Sequence, residues 1–366
     1  MEETNVMVAA NEPEGTQQVF RPWLRYFARM LDLTIYTVPW YAFLAFVIQI
    51  NLMARGTWAS FFDGLALLAV TLLFEPVLLR IFGTTAGKAV FGLRVTSERS
   101  RNLTYFEGLE RTWGVIGKGL GFQIPIYSLI RTWKSYKACS DEEVLPWDEY
   151  VAYTSKGLKW YRVLACIGVI LGVIGMMVVF IFAQQLPPNR GNLTVEDFVE
   201  NHNYYARHLG HEFGQWELGR DGRWGLRPAT GDTTFWIDPF FAPPVRPEFE
   251  FSMQDGYIQG ISFDVEIQGE GTLFALHTLE RHMLLALLAF ICAQDEVGLF
   301  STAPVRISEQ LSLNITLNHR FTEAGVAVMW EVEHSWFSTV PGFPWVLWPE
   351  NADYQQFSLS FSMVRV

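Results

Sequence analysis

Cysteine is scarce in this 366-residue chain: Cys139, Cys166 and Cys292 are few, odd in number and far apart, which excludes a disulfide framework and a CxxC-type zinc site. Charge is scarce too. Only 18% of residues are charged, 50% are hydrophobic, 15% are aromatic, and mean hydropathy is +0.15. That balance is too apolar for a disordered chain, and 14 Trp with 29 Phe bring more apolar surface than a linker or solenoid could hide. Bases are outnumbered 27 to 38, for a formal charge of -11, which argues against nucleic acid as a partner. No nucleophile elbow, HExxH or paired-carboxylate motif stands out, so the chain is not expected to be an enzyme and no cofactor is implied. Two or three domains are expected at this length.

The absences are unevenly placed. Lysine is missing after Lys159 and histidine before His202. Before Leu186 there are 17 bases and 15 acids; from Leu186 onward there are 10 and 23. A nearly neutral part and a strongly acidic part share one chain, so a multidomain protein is expected.

Long apolar runs occupy the first part. Met30 to Met53 carries one charge, Asp32; Gly64 to Ile81 has Glu75 as its only acid; Val163 to Ala183 has no charge over 21 residues. Crossing roughly 30 Å of hydrocarbon takes about 20 helical residues, so spans are expected at about 30–53, 62–81 and 161–185. None reads as a cleavable signal peptide, because the first run comes after a polar tail, residues 1–19, and lacks a small-residue cleavage pattern. Trp113 to Trp133 is ambiguous: it contains Lys118, Gly117, Gly119, Gly121 and a central Pro125. Arg21, Arg25 and Arg29 precede the first run, Arg55 alone separates the first two, and Arg80, Lys88, Arg94, Arg99, Arg101 and Arg111 come after the second. By the positive-inside rule the N-terminus and the 80–112 segment are cytoplasmic. The next polar segment is again basic, with Arg131, Lys134, Lys137, Lys156, Lys159 and Arg162, so 113–133 is read as a re-entrant or interfacial hairpin bent at Pro125. The third span then runs outward and residues 186–366 are extracytoplasmic.

The acidic part begins after a linker at 186–191 and reads as an α+β domain with an antiparallel sheet over 192–366. Thr194 is a candidate N-cap, with Val195, Phe198, Val199, His202, Tyr205 and Leu209 on one helix face ending at Gly210. Trp216–Leu218 and Arg223–Leu226 flank an Asp221-Gly222 turn. Strict alternation at Ile261/Phe263/Val265/Ile267, Leu311/Leu313/Ile315/Leu317, Val326/Val328/Trp330/Val332 and Phe357/Leu359/Phe361/Met363 predicts strands buried on one face. Leu273 to Ala293 predicts a helix covering the sheet, because Glu280, Arg281, His277 and His282 break its apolar run. In Trp336 to Trp348, Pro341 and Pro344 predict a loop, either a lid on the sheet or an aromatic platform for a ligand or membrane surface.

Arg25 and Asp32 stand seven apart on one helix face, and ionisable groups at membrane depth are functional candidates. The stretch Trp23-Leu24-Arg25-Tyr26-Phe27-Ala28-Arg29-Met30-Leu31-Asp32 resembles the opening pattern of the RDD family of bacterial membrane proteins, named for one arginine and two aspartates, with Arg25 and Asp32 in the arginine and first aspartate positions. Glu75, Gly83-Thr84-Thr85-Ala86-Gly87-Lys88 and Gly92-Leu93-Arg94-Val95 are similar to its central motif, and Phe106 with Arg111 fits the family's next pattern along the chain. The family has an aspartate five residues before a threonine; here Asp148 stands six and Glu149 five before Thr154, so the third acid is one of these two. The resemblance covers about 20–160. It implies an inner-membrane, multi-pass protein with the lipid bilayer as partner, and a role in transport of an ion or small solute in which Arg25, Asp32, Glu75 and Asp148 form a polar membrane cluster. A competing reading is a membrane-anchored binding, sensor or assembly protein whose outer domain takes an envelope protein or small-molecule ligand.

Gly83 to Lys88 is not a phosphate loop, which needs four residues between its glycines and Ser or Thr after the lysine; here there are three, and Ala89 comes next. It reads as a tight cytoplasmic turn, with Gly83 and Gly87 shaping it and Lys88, Arg94 and Arg80 at anionic headgroups. His208 and His211 are three apart, but Gly210 separates them and no acid or cysteine joins them at ligand spacing, so no metal is expected.

Overall fold

The computed structural model describes residues 20–97, 101–155, 159–211, 213, 216–226, 245–268, 274–335, 337–340, 343–350 and 356–366. The expected polar tail 1–19 lies outside them, as do Arg99, Lys156, Leu273, Trp336 and Pro341. The chain divides into two compact units, Met1–Phe180 and Ile181–Val366. The first is helical, and the second is rich in antiparallel sheet.

In the first unit, α1 (Pro22–Ala42) starts on a proline, whose fixed φ and missing N–H suit the first helical turn. It continues as a π turn over Phe43–Val47. Next, α2 (Thr57–Phe82) ends on Gly83 at φ 66°, a left-handed cap that a side chain would strain, and Gly83 N–H donates to the Leu79 carbonyl at 3.0 Å. The helices extend 22–47 and 57–82, not 30–53 and 62–81. Apolar runs mark the stretch of chain suited to hydrocarbon rather than helix ends, and polar residues near the outer ends of the helices are satisfied in the fold. Asn51 Oδ1 accepts from the Met53 N–H at 2.9 Å in the turn after α1, and Asp63 inside α2 accepts from Arg55 at 2.7 and 2.9 Å and from Trp40 at 3.1 Å.

A short helix α3 (Ala86–Val90) leads into β1 (Leu93–Ser97). Thr104 and Glu107 form a capping box that starts α4 (Tyr105–Gly114), which runs on as a π turn over Val115–Gly119. The chain then reverses, with Phe122, Gln123 and Ile126 at positive φ around Pro125, into α5 (Tyr127–Ser140). β2 (Val151–Ser155) pairs antiparallel with β1, setting Tyr153 opposite Val95. Leu24, Ala28, Leu31, Leu79, Leu93, Val95 and Tyr153 form a small core.

Helix α6 (Trp160–Ala183) closes the first unit and enters the second. With α1 and α2 it is long and apolar enough to cross a membrane, by length and composition. Val163, Leu164, Ile167, Ile170, Leu171 and Ile174 on it are all exposed. An apolar face of this extent is unfavourable in water and unpenalised in hydrocarbon.

The second unit begins with residues tied down rather than free: the Tyr204 and Tyr205 hydroxyls donate to the Gln184 and Gln185 carbonyls at 2.8 and 2.6 Å, and Asn201 Oδ1 accepts from the Asn189 N–H at 2.9 Å. The Thr194 N-cap, completed by Asp197, starts α7 (Val195–His208), which buries Phe198, Val199, His202 and Tyr205. β3 (Trp216–Leu218) and β4 (Trp224–Leu226) pair around the Asp221-Gly222 turn. After β5 (Glu250–Gln254), β6 (Tyr257–Gln268) and the short β7 (Phe274–Ala275) comes α8 (Leu276–Ile291), whose residues Leu285 to Ile291 are all buried.

Here one expected strand is a helix. Residues 311–314 belong to α9 (Ala303–Asn314), which has Pro304 in its first turn. Ala303, Ile307 and Leu311 are buried at four-residue steps, a helical period that outweighs the alternation at its end.

The chain finishes through β8 (His319–Glu323), β9 (Val326–Ser335), β10 (Phe337–Val340), β11 (Phe343–Pro349) and β12 (Gln356–Arg365). The main sheet is antiparallel in the order β5-β6-β12-β9-β8. The expected loop at 336–348 contains instead the paired strands β10 and β11, with β7 on their far side. Pro344 lies beside a register shift at Thr339/Val340 and outside the β7 pairing, where a missing N–H does not interrupt a ladder.

Alternation sorts the main sheet. Ile261, Phe263, Val265, Val328, Trp330, Phe357, Leu359 and Phe361 are buried in one core with α7 and α8. On the other face Ser358 and Ser360 separate Glu266 and Asp264 from Glu333 and Glu331, so the sheet carries its acids without placing them directly opposite each other.

Candidate functional site

Spacing on α1 puts Arg25, Arg29 and Asp32 on one face, because steps of four and three residues return to the same side of a helix. Each meets a charge brought by another element. Arg25 pairs with Asp148, which precedes β2. Arg29 grips both Glu75 carboxylate oxygens, its Nη2 at 2.9 Å from Oε1. Asp32 receives the Gly87 N–H at 2.7 Å, the Thr85 hydroxyl at 2.5 Å and Lys88 Nζ at 3.4 Å, so α1 caps the start of α3.

Lys88 joins Asp32 to Glu75, its Nζ at 2.8 Å from the latter. Arg111 of α4 joins Glu75 at 3.5 Å to Asp148 at 3.0 Å, and its Nη2 donates to the Tyr153 hydroxyl at 2.8 Å. A continuous chain results: Asp32, Lys88, Glu75, Arg111, Asp148, Arg25. A lone buried charge is costly; here every carboxylate has a cation, and Glu75 has three.

The structure thus brings Arg25, Asp32, Glu75 and Asp148 together, although Arg25 reaches Asp32 only through the other members. Between the two acids left open by the sequence, Asp148 is buried and paired and Glu149 is exposed. Lys88, expected at the headgroups, is buried instead, because the α3 turn folds inward over α1. Gly83 and Arg94 sit apart from the network, where exposed Arg94 donates to Asn102 Oδ1 at 3.0 Å and Asn102 Nδ2 donates to the Ile81 carbonyl at 3.1 Å. Gly87 has a packing role: a Cβ there would come within 2.4 Å of the Ala28 carbonyl and 2.8 Å of the Asp32 nitrogen. Gly87→Ala is expected to lower stability by about 1–3 kcal/mol, read as a lower unfolding temperature in detergent.

Arg29 and Thr85, which lie inside the motif stretches, and Tyr153 join the site beyond the four residues expected there. Arg29 had a signal, since it shares the face of Arg25 and Asp32. Tyr153 had none, because only the pairing of β2 with β1 carries it to Arg111 and Arg25, whose guanidinium lies 4.1 Å from its ring centre. Burial alone would raise the Tyr153 phenol, but the charges of Arg111, Lys88, Arg25 and Arg29 outweigh it and bring it down to about 8.

Four cations therefore face three carboxylates, an excess of one positive charge in a buried network. A cleft of about 520 Å³ opens onto it. Arg25, Arg29, Lys88 and Arg111 border the cleft, with Trp23, Tyr26, Leu129, Trp133 and Tyr136 on its walls. Such a site has the means to hold an anionic or polar group and to keep water from its apolar sides.

Residues 20–201 match the model of the RDD family. The chain carries an RDD-family domain. The match runs beyond the 20–160 expected from the motifs and takes in α6 and the first half of α7. No curated protein and no solved structure matches the chain. The buried network joins the motif residues of the RDD domain, Arg25, Asp32, Glu75, Lys88 and Arg111, through direct ion pairs and hydrogen bonds.

Proposed function

We propose that this RDD-family membrane-type protein is not an enzyme and moves an ion or small solute across a bacterial inner membrane. The observation that carries this reading is the bordering of a cleft by four cations of a network that links α1, α2, α3, α4 and β2. A charged substrate at that border competes with the internal carboxylates for the cations, so its binding and release alter contacts on every linked element. The basic segments support an N-terminus and an 80–112 segment in the cytoplasm, a 113–133 hairpin on the same side, and residues 186–366 outside.

Asp32→Asn keeps the size of the side chain and removes one carboxylate from the network. Flux of the transported ion in proteoliposomes is expected to fall to background while the protein still elutes as a folded monodisperse species. Unchanged flux removes the transport reading. Protease accessibility of the two termini tests the orientation, which an outer N-terminus would overturn.

The second reading, a membrane-held outer binding, sensor or assembly domain, is favoured by the closed core of the second unit. It predicts that residues 184–366, cut to retain the Gln184 and Gln185 contacts with Tyr204 and Tyr205, fold and bind an envelope protein or small ligand without the spans.

A further inference from the structure

The walls of the cleft on the cation network are mostly aromatic and aliphatic. Trp23 is 60% and Trp133 66% exposed, and both pack on Tyr136, with ring centres 5.5 and 5.7 Å apart. Trp23 lies in the first turn of α1, a candidate span, and Arg25 is two residues further, roughly 3 Å along the axis. Tryptophan and tyrosine at the end of a span are the chemistry of the water–membrane boundary, at the depth of lipid headgroups.

Arg25 is also the cation of the network with the fewest carboxylate contacts. Its one carboxylate contact is from Nη2 to Asp148, beside its packing on the Tyr153 ring and its hydrogen bond with Cys139, whereas Arg29 holds both oxygens of Glu75, Lys88 donates to Asp32, Glu75 and Thr85, and Arg111 donates to three acceptors. Among the described residues the network carries one positive charge in excess, and the cleft that opens onto it has apolar walls.

We propose that the cleft is a binding site for an anionic membrane lipid, whose headgroup meets Arg25 and completes the charge balance while its chains lie along Trp23, Leu129 and Trp133. The inference rests on the membrane reading of α1 but not on transport: the lipid is a resident of the site and a determinant of the network's charge.

The test is native mass spectrometry of the full-length protein in detergent, titrated with phosphatidylglycerol, phosphatidylcholine and sodium phosphate. Phosphatidylglycerol is expected to bind about tenfold more tightly than phosphatidylcholine, the worth of one charge-assisted hydrogen bond, and millimolar phosphate is expected not to displace it. Arg25→Gln is expected to bring that preference close to one. Because Arg25→Gln also removes an ion pair with Asp148, exposed Leu129 supplies a second variant pair: Leu129→Glu, which places a negative charge at the mouth, loses the preference, and Leu129→Gln, which weakens the chain contact of both lipids alike, leaves their ratio.

Equal binding of the two lipids, displacement by phosphate, or a preference untouched by both Arg25→Gln and Leu129→Glu would each overturn the proposal. Retention of the protein in carbonate-washed membranes reads the membrane assignment separately, and lipid binding is read without flux, so failure of either earlier reading is distinguishable from failure of this one.

Discussion

Glu75→Ala is expected to destabilise the helical unit by about 3–5 kcal/mol, the usual loss when one partner of a buried charge set is removed. Glu75 is fully buried and accepts from Arg29, Lys88 and Arg111. Its removal leaves three buried cations facing one another at the meeting of α1, α3 and α4. Glu75→Gln retains an acceptor but not the charge and is expected to cost less. A double substitution adding Arg29→Met to Glu75→Ala removes one stranded cation and is expected to recover part of the loss, a coupling that separates charge imbalance from lost volume. Thermal unfolding in detergent, followed by size-exclusion fluorescence, reads the series. If Glu75→Ala unfolds within about 1 kcal/mol of the parent, as for an exposed pair, the network is not a structural keystone.

The second large effect lies in the acidic unit and depends on pH. His202 and His282 are both fully buried. His282 stacks on Phe213 with ring centres 4.0 Å apart, and Trp224 meets both imidazoles edge-on at 5.8 and 5.1 Å. Burial among these rings disfavours the imidazolium, lowering His202 from 6.5 to about 4, with a hydrogen bond to Asn203 opposing the shift. Burial and the neighbouring His202 hold His282 well below 6.5 as well, and Arg246 adds to this.

The unfolded chain therefore takes up protons near pH 6.5 that the folded unit refuses. Stability is complete above pH 6.5 and falls as pH drops toward 4, by about 3 kcal/mol for His202 alone, with His282 acting in the same direction. Hydrogen exchange of the α7 and α8 amides, corrected for intrinsic rates, is expected to show protection falling from pH 6.5 to pH 5, above the range in which ordinary carboxylates titrate. The paired substitution His202→Phe with His282→Phe is expected to flatten that slope. Protection that is level across this window in the parent would refute the buried-neutral assignment.

Much of the fold was legible in local pattern. Thr194, with Asp197 three residues on, marks the start of α7; the Asp221-Gly222 turn marks the β3–β4 hairpin; alternation from Ile261 and from Phe357 marks β6 and β12. Residues 311–317 misled because the end of an amphipathic helix imitates alternation, and the residues that decide the period, Ala303 and Ile307, lie upstream. The 336–348 segment misled because proline excludes a strand only where its N–H is needed.

By itself the sequence determined that two physically different parts share the chain, that three helices are apolar enough for a membrane, that the first part has RDD-type motifs and that the second is a one-side-buried sheet. These come from composition and from periods of 2 and 3.6, which are local properties. Only tertiary structure decided which charges meet. Asp148 rather than Glu149 enters the network, Lys88 turns inward from the headgroup level, and Tyr153 joins through a strand pairing some 58 residues away. An ion pair depends on distance in space, and the segments that supply Asp32, Lys88, Glu75, Arg111 and Asp148 are brought together by packing that no spacing along the chain encodes.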